Sequence, residues 1–396
     1  MPSPPEPAPT GAWADTSAIL RREMERRTSP VELLWDLVFV FAVTQVTALL
    51  AHSLTWAGFG RSMLVLALVW WAWSAFVWAA NAQDADSPVL RGSLLLAMVL
   101  IFITGLAIPG AFGDESTLFA VTYAGVRLLH LALYADASRR GNASWQAIAG
   151  FAVTVVLGMA LLVAGSFLHG LARVTLWTAA VEIDYAGPAW LTRDRLRGLQ
   201  EVAVPHFAER YSLFIIICLG ESIVTIGVGA AGRPLDTELV AAVTLGLLIT
   251  VGLWWTYFDT FAATAEERLR RHADPVLAAA DAYSYLHLPL VAGIIIFAVG
   301  ERFAIHDVGA SLSDAARLAL CGGVALYLAA HVAFRLRMGG TLSYARLCAV
   351  GALAVLFATG ADLPAWALAG AVTVVLAALC AIEAAGERRT AVVLSR

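Results

Sequence analysis

The chain has 396 residues, of which 60% are hydrophobic and 14% charged, and its net charge is −4. A soluble domain carries roughly 25% charged residues, so this composition excludes a water-facing surface over most of the molecule. The small net charge gives no reason to expect a nucleic-acid or polyanionic partner.

Residues 1–30 begin with a Pro-rich run and read as a disordered or amphipathic N-terminal segment on the cytoplasmic side. The run lacks the basic stretch and short apolar core of a signal peptide. Insertion is therefore expected to use the first membrane helix itself. A helix needs about 20 mainly apolar residues to cross the hydrocarbon core. Stretches of that kind fall at 32–53, 61–80, 92–111, 117–136, 145–164, 165–184, 209–229, 237–258, 277–299, 314–334, 345–361 and 364–384. The sixth is the least apolar, with Arg173, Glu182 and Asp184 in or beside it.

Arginine placement orients these spans, because cytoplasmic segments carry the excess of basic residues. With the N-terminus inside, the outer segments hold only Arg61, Arg233, Arg302 and Arg317, and Arg127 and Arg173 fall within spans. All other arginines lie inside. Both termini are expected in the cytoplasm, and the protein in the bacterial inner membrane.

The two halves of the chain also match each other. Trp70-Trp71 pairs with Trp254-Trp255, Phe102 and Gly105 with Phe297 and Gly300, Gly125 with Gly323, and Glu182 with Glu383. The offset between partners only grows, and each step falls in a loop, as expected of a duplicated unit. Six helices per unit is an even number, so both copies enter from the same side. The expected fold is an all-α polytopic membrane protein of about twelve transmembrane helices. It is arranged as two parallel six-helix repeats about a pseudo-two-fold axis along the membrane normal. Repeat 1 spans 31–184, a cytoplasmic linker 185–208, repeat 2 209–385, and a cytoplasmic tail 386–396.

Two stretches carry a family resemblance. One includes Glu32, Trp35, Asp36, Phe39, Ala42, Thr44 and Gln45, and the other runs from His206, Glu209 and Arg210 to Gly220, Glu221 and Ser222. Together they resemble the bacterial low temperature requirement A (LtrA) family over about residues 30–385. The family usually shows an aromatic pair before the Asp, where this chain has Leu34-Trp35. The resemblance implies a membrane protein but no established reaction. Glu32, Asp36, Val38, Phe39, Ala42 and Thr44 also look like the first helix of the endolysosomal potassium channels marked by a Phe-Ser-Asp motif. In those channels each unit's first helix lines the pore. Here Trp35 replaces the Ser, and Leu213 the Asp of the second copy.

Ionisable residues deep in a bilayer are costly unless paired or hydrated. Glu221 and Arg127 lie deepest, near the midplane by helical rise. They are expected either to pair with each other or to leave Glu221 as a proton- or cation-binding carboxylate. A buried pair that only fixes helix register is the structural alternative. On the first helix Glu32, Asp36 and Thr47 share a stripe flanked by Thr44. On the seventh, Glu221 and Thr225 share another, with Ser222 beside it. These are the candidate pathway residues. Glu32 and Asp36 equally suit a helix N-terminus, where the dipole is positive. His206, Glu209, Asp281, His287, Glu182 and Glu383 gather at cytoplasmic ends, as a water-filled vestibule or as ordinary interfacial chemistry.

Gly227, Gly229 and Gly232 match a dinucleotide-binding spacing but follow no strand, so no cofactor is expected. The isolated Cys218, Cys321, Cys348 and Cys380 read as packing residues, with no metal site. The tryptophans Trp70, Trp71, Trp73, Trp78, Trp254 and Trp255 are mid-helix, either core or an aromatic wall. The leading function is transport or conduction of an ion or small solute, with helices 1 and 7 lining the pathway. No catalytic residue is assigned. The alternatives are a non-transporting accessory protein, and a lipid-acting enzyme built on His206, Glu209 and Arg210. The bilayer and a small cation or solute are the expected partners. The sequence does not reveal the oligomeric state.

Overall fold

The computed structural model describes residues 28–82, 87–140, 145–188, 202–340 and 342–394. Within them helix follows helix. The first half contains α1 (Pro30–His52), α2 (Trp56–Ala82), α3 (Pro88–Ala107), α4 (Ser116–Arg139), α5 (Trp145–Ser166) and α6 (Gly170–Ala186). The second contains α7 (Val204–Ala230), α8 (Thr237–Phe258), α9 (Ala262–Arg271), α10 (Pro275–Ala278), a π-helical turn (Ala279–Tyr285), α11 (His287–His306), α12 (Asp314–Arg337), α13 (Tyr344–Thr359) and α14 (Ala365–Leu394).

Local chemistry sets the helix starts. Ser29 precedes α1, Pro30 occupies its first position, and Glu32 Oε2 accepts from the Ser29 N–H at 2.8 Å. Asp236 accepts from the Leu239 N–H at 2.8 Å to cap α8, and Ser313 from the Ala316 N–H at 3.3 Å to cap α12. Among the described residues, ten helical stretches are long and apolar enough to cross a membrane. With 17 and 16 residues, α6 and α13 are shorter. All twelve apolar stretches read from the sequence are helical, so the chain is a multi-pass helical membrane protein. Most of residues 1–30 and the middle of the 185–208 linker lie outside the described residues. The expected tail is the end of α14, which runs on to Leu394.

Much of the packing recurs between the halves. In the first half α1 packs on α2 and α3, α2 on α6, α3 on α4, α4 on α5 and α5 on α6. In the second α7 packs on α8 and α11, α8 on α14, α11 on α12, α12 on α13 and α13 on α14. One hydrogen bond recurs as well. Tyr123 on α4 donates to the Leu68 carbonyl on α2, and Tyr327 on α12 donates to the Leu253 carbonyl on α8, each at 2.9 Å.

Contacts across the halves run through α1, α2, α7 and α11. α11 and α12 approach backbone to backbone. A Cβ at Gly300 would collide with the Leu320 backbone, and one at Gly323 with the Phe297 backbone, so only glycine allows this crossing. Outward faces such as Leu95, Leu96, Val99, Phe102 and Leu106 of α3 are apolar and exposed, as lipid-facing surface should be. The paired tryptophans diverge. Trp70 and Trp73 are buried in the core, whereas Trp254 and Trp255 are exposed on the outside of α8, so a uniform core role for all of them is corrected.

Candidate functional site

The first and seventh helices meet, and the two motif stretches meet with them. Arg210, on the second turn of α7, places Nη2 2.6 Å from Asp36 Oδ1 and Nη1 3.2 Å from Glu32 Oε1, both on α1. His206, one turn earlier, places Nε2 3.3 Å from Glu32 Oε1. Trp73 of α2 donates its indole N–H to Asp36 Oδ1 at 2.8 Å. All four ionisable groups are buried. Glu32 and Asp36 are thus not bare pore-facing acids. They form one end of an ion cluster that joins the halves. Glu209 points the other way and accepts from the Thr28 hydroxyl at 2.9 Å.

Farther along the same interface lies Glu221, 3% exposed. Its Oε1 accepts from Thr225 at 3.0 Å, and Thr47 faces it from α1. Its Oε2 is buried with no partner. Ser222 is fully buried beside it and bonds back to the Cys218 carbonyl. The Thr44 hydroxyl bonds to the Val40 carbonyl within its own helix. The structure therefore brings Thr47, Glu221 and Thr225 together.

It does not bring Glu221 and Arg127 together. Arg127 forks onto Asp184 of α6, with Nη2–Oδ1 at 2.8 Å and Nε–Oδ2 at 3.1 Å. The expected Arg127–Glu221 pair is corrected accordingly. Charge balance for Arg127 comes from its own half, and a two-bond fork fixes both position and plane. His130 joins this pair at 3.4 Å. Beside them is a cavity of about 60 Å³, lined by Ser74, Trp78, Tyr134 and Ser284 among others. It has room for a few water molecules.

The residues expected at a shared vestibule are dispersed. Asp281 Oδ2 accepts from Arg337 Nε at 2.8 Å. Glu383 accepts from Arg346 Nε at 2.7 Å, and Glu182 is exposed. His287 is fully buried, with Nε2 2.9 Å from the Tyr257 hydroxyl. Of the three residues offered for a lipid-acting enzyme, His206 and Arg210 share Glu32 while Glu209 turns away to Thr28, so the three do not converge on one point.

Two features escape the sequence reading. One is the π-helical turn at Ala279–Tyr285, an uncommon geometry that recurs at functional positions. It presents Ser284 to the first half. The Ser284 carbonyl accepts from Trp70 at 2.6 Å, and its hydroxyl bonds to Trp78 at 2.8 Å and Tyr211 at 3.0 Å. The other is Glu301 on α11, fully buried, with no hydrogen-bond partner for either oxygen. Its carboxyl group fills the space left by Gly246 of α8. Tyr211 against His287 and Gly229 against Ile305 set the α7–α11 register. That register puts Glu301 about one turn beyond Glu221. Ile226 of α7, Leu239 and Ala242 of α8, Ile305 of α11 and Val308 just beyond it form a separate buried apolar cluster toward the far end. Glu301 lies just beyond the apolar stretch read at 277–299, so it is not among the residues the sequence singles out.

The family model for the bacterial low temperature requirement A protein (LtrA) matches residues 27–381. An uncharacterized protein of Rhizobium meliloti (strain 1021) is 31% identical over 348 residues, 85% of each chain. No solved structure matches.

Proposed function

The chain belongs to the bacterial low temperature requirement A family, and with that as premise we propose that it transports a proton or another small cation. Glu221 is the binding carboxylate, and α1 and α7 line the way. The observation that carries this reading is Glu221 Oε2, buried where α1 meets α7 and without a partner. An isolated carboxylate in such surroundings is costly unless it holds a proton or a cation. Thr225 and Thr47 bring hydroxyl oxygens to it, and Ser222 and Thr44 follow on the neighbouring faces of α7 and α1. Hard cations take oxygen ligands of this kind. Glu301 extends the line by about one turn.

Both ends of this line are closed. On this reading the ion cluster of Glu32, Asp36, His206 and Arg210 closes the end where α1 begins, and the apolar cluster around Ile226 and Ile305 the other. An aliphatic constriction stops ions by excluding water. Passage therefore requires the ion cluster and the apolar cluster to open in turn.

The repeated packing pattern and the recurring tyrosine–carbonyl bond support two parallel six-helix halves, with α6 and α13 completing twelve crossings. A site at the interface of the halves fits that symmetry. The arginine distribution supports cytoplasmic termini and an inner-membrane location.

Flux in proteoliposomes tests the proposal. Wild type, Glu221→Gln and Glu301→Gln are compared under K⁺, Na⁺ and H⁺ gradients, with a dye reporting potential or internal pH. Flux in wild type that falls to the level of empty liposomes in Glu221→Gln is the expected result. No wild-type flux of any of the three cations would remove the reading.

A further inference from the structure

At the end of the bundle where α1 begins, and on the far side of the second half, lies a basin of about 800 Å³ between α9, the end of α12, the start of α13 and α14. Among the described residues, three guanidinium groups line it, from Arg268, Arg335 and Arg346, against the single carboxylate of Glu383. That carboxylate is already committed, with Oε1 2.7 Å from Arg346 Nε and Oε2 3.2 Å from Arg346 Nη2. Among the described residues, Arg268 and Arg335 make no ion pair. Arg346 is 1% exposed, and its Nη1 is buried with no partner. The basin thus carries uncompensated positive charge, and one of its donors is held by a built pocket rather than by a mobile surface side chain.

Two more observations specify the occupant. α13 starts at the basin, and the Ser343 side chain makes no capping bond there, which leaves first-turn N–H groups available to an anion. The rim is apolar, with Tyr344 76% and Ile382 59% exposed. α9 lies alongside, burying Ala265 and Leu269 and turning its charges outward, as an interfacial helix does.

We infer that this basin binds the phosphodiester headgroup of an anionic phospholipid, with the acyl chains running over Tyr344 and Ile382. Arginine forks suit phosphate oxygens, and basic pockets at helix ends recognise anionic headgroups. A free phosphate would use the charges but not the apolar rim.

The test uses the purified full chain in a neutral detergent, titrated with phosphatidylglycerol, phosphatidylcholine or inorganic phosphate. Thermal unfolding and native mass spectrometry are the readouts. Phosphatidylglycerol is expected to raise the unfolding temperature and to remain bound, and phosphatidylcholine to do neither. R268Q/R335Q leaves the Arg346–Glu383 pair intact and should weaken phosphatidylglycerol binding about thirtyfold. Equal binding of both lipids, or unchanged affinity in R268Q/R335Q, would overturn the inference. So would inorganic phosphate binding as tightly as the lipid, which would make this a free-anion site. Should the double variant not fold, direct competition between the two lipids on wild type decides.

Discussion

Asp36 Oδ1 and Arg210 Nη2 lie 2.6 Å apart in the protein interior, and through that contact the first helix of one half holds the first helix of the other. Arg210 also reaches Glu32, so a single guanidinium serves two acids. Removing one partner of a buried ion pair costs roughly 3–5 kcal/mol, because the survivors are left uncompensated. Arg210→Met is therefore expected to lose most of its folded population in detergent. Asp36→Asn should lose less, since Glu32 stays in place to balance the arginine. A double-mutant cycle by thermal unfolding should return a coupling above about 1 kcal/mol. Additive losses would mean that the contact does not hold the halves together.

Arg127 and Asp184 make the second cross-helix fork. Arg127→Met and Asp184→Asn should each destabilise by about 3 kcal/mol or more, and the double variant by less than their sum. The cycle between Arg127 and Glu221 should return nothing, because the two share no contact. Measurable coupling there would contradict the pairing of Arg127 with Asp184.

Glu301 has no partner to lose. Glu301→Gln keeps the shape and removes only the ability to ionise, so its unfolding temperature should stay close to wild type. Infrared spectroscopy gives the complementary reading. A carboxyl that carries a proton contributes a carbonyl stretch that Glu301→Gln abolishes. A large stability loss would reveal a partner and remove Glu301 from the proposed line of carboxyl groups.

Glycine substitutions separate packing from composition. Gly300→Ala puts a Cβ into the Leu320 backbone and should cost about 1–3 kcal/mol. Gly351→Ala meets nothing within 4 Å and should be neutral or slightly stabilising. Equal effects at the two positions, compared by thermal unfolding, would rule out the close α11–α12 crossing.

The helices were legible because the bilayer limits what can span it, and twelve apolar runs of about membrane length stand out in the sequence. The meeting of α1 and α7 was legible too, from stripes carrying Asp36 and Glu221. Partner choice was not. Arg127 has several acids within a helix length in the sequence, and only the fold, in which α5 packs on both α4 and α6, brings Asp184 to it. Asp36 likewise finds Arg210 and Trp73, from helices far away in the chain. The π-helical turn has no periodicity of its own in the sequence. Glu301, just past the apolar stretch read at 277–299, is fully buried in the fold.

The glycine contact between α11 and α12 bears on how this molecule can move. Two helices whose backbones interlock at Gly300 and Gly323 cannot slide or rotate past each other without first separating. They act as one rigid strut, to which α7 is packed along α11. In the proposed transport cycle this strut, with α7 on it, is the fixed side, and α1 is the element that moves against it.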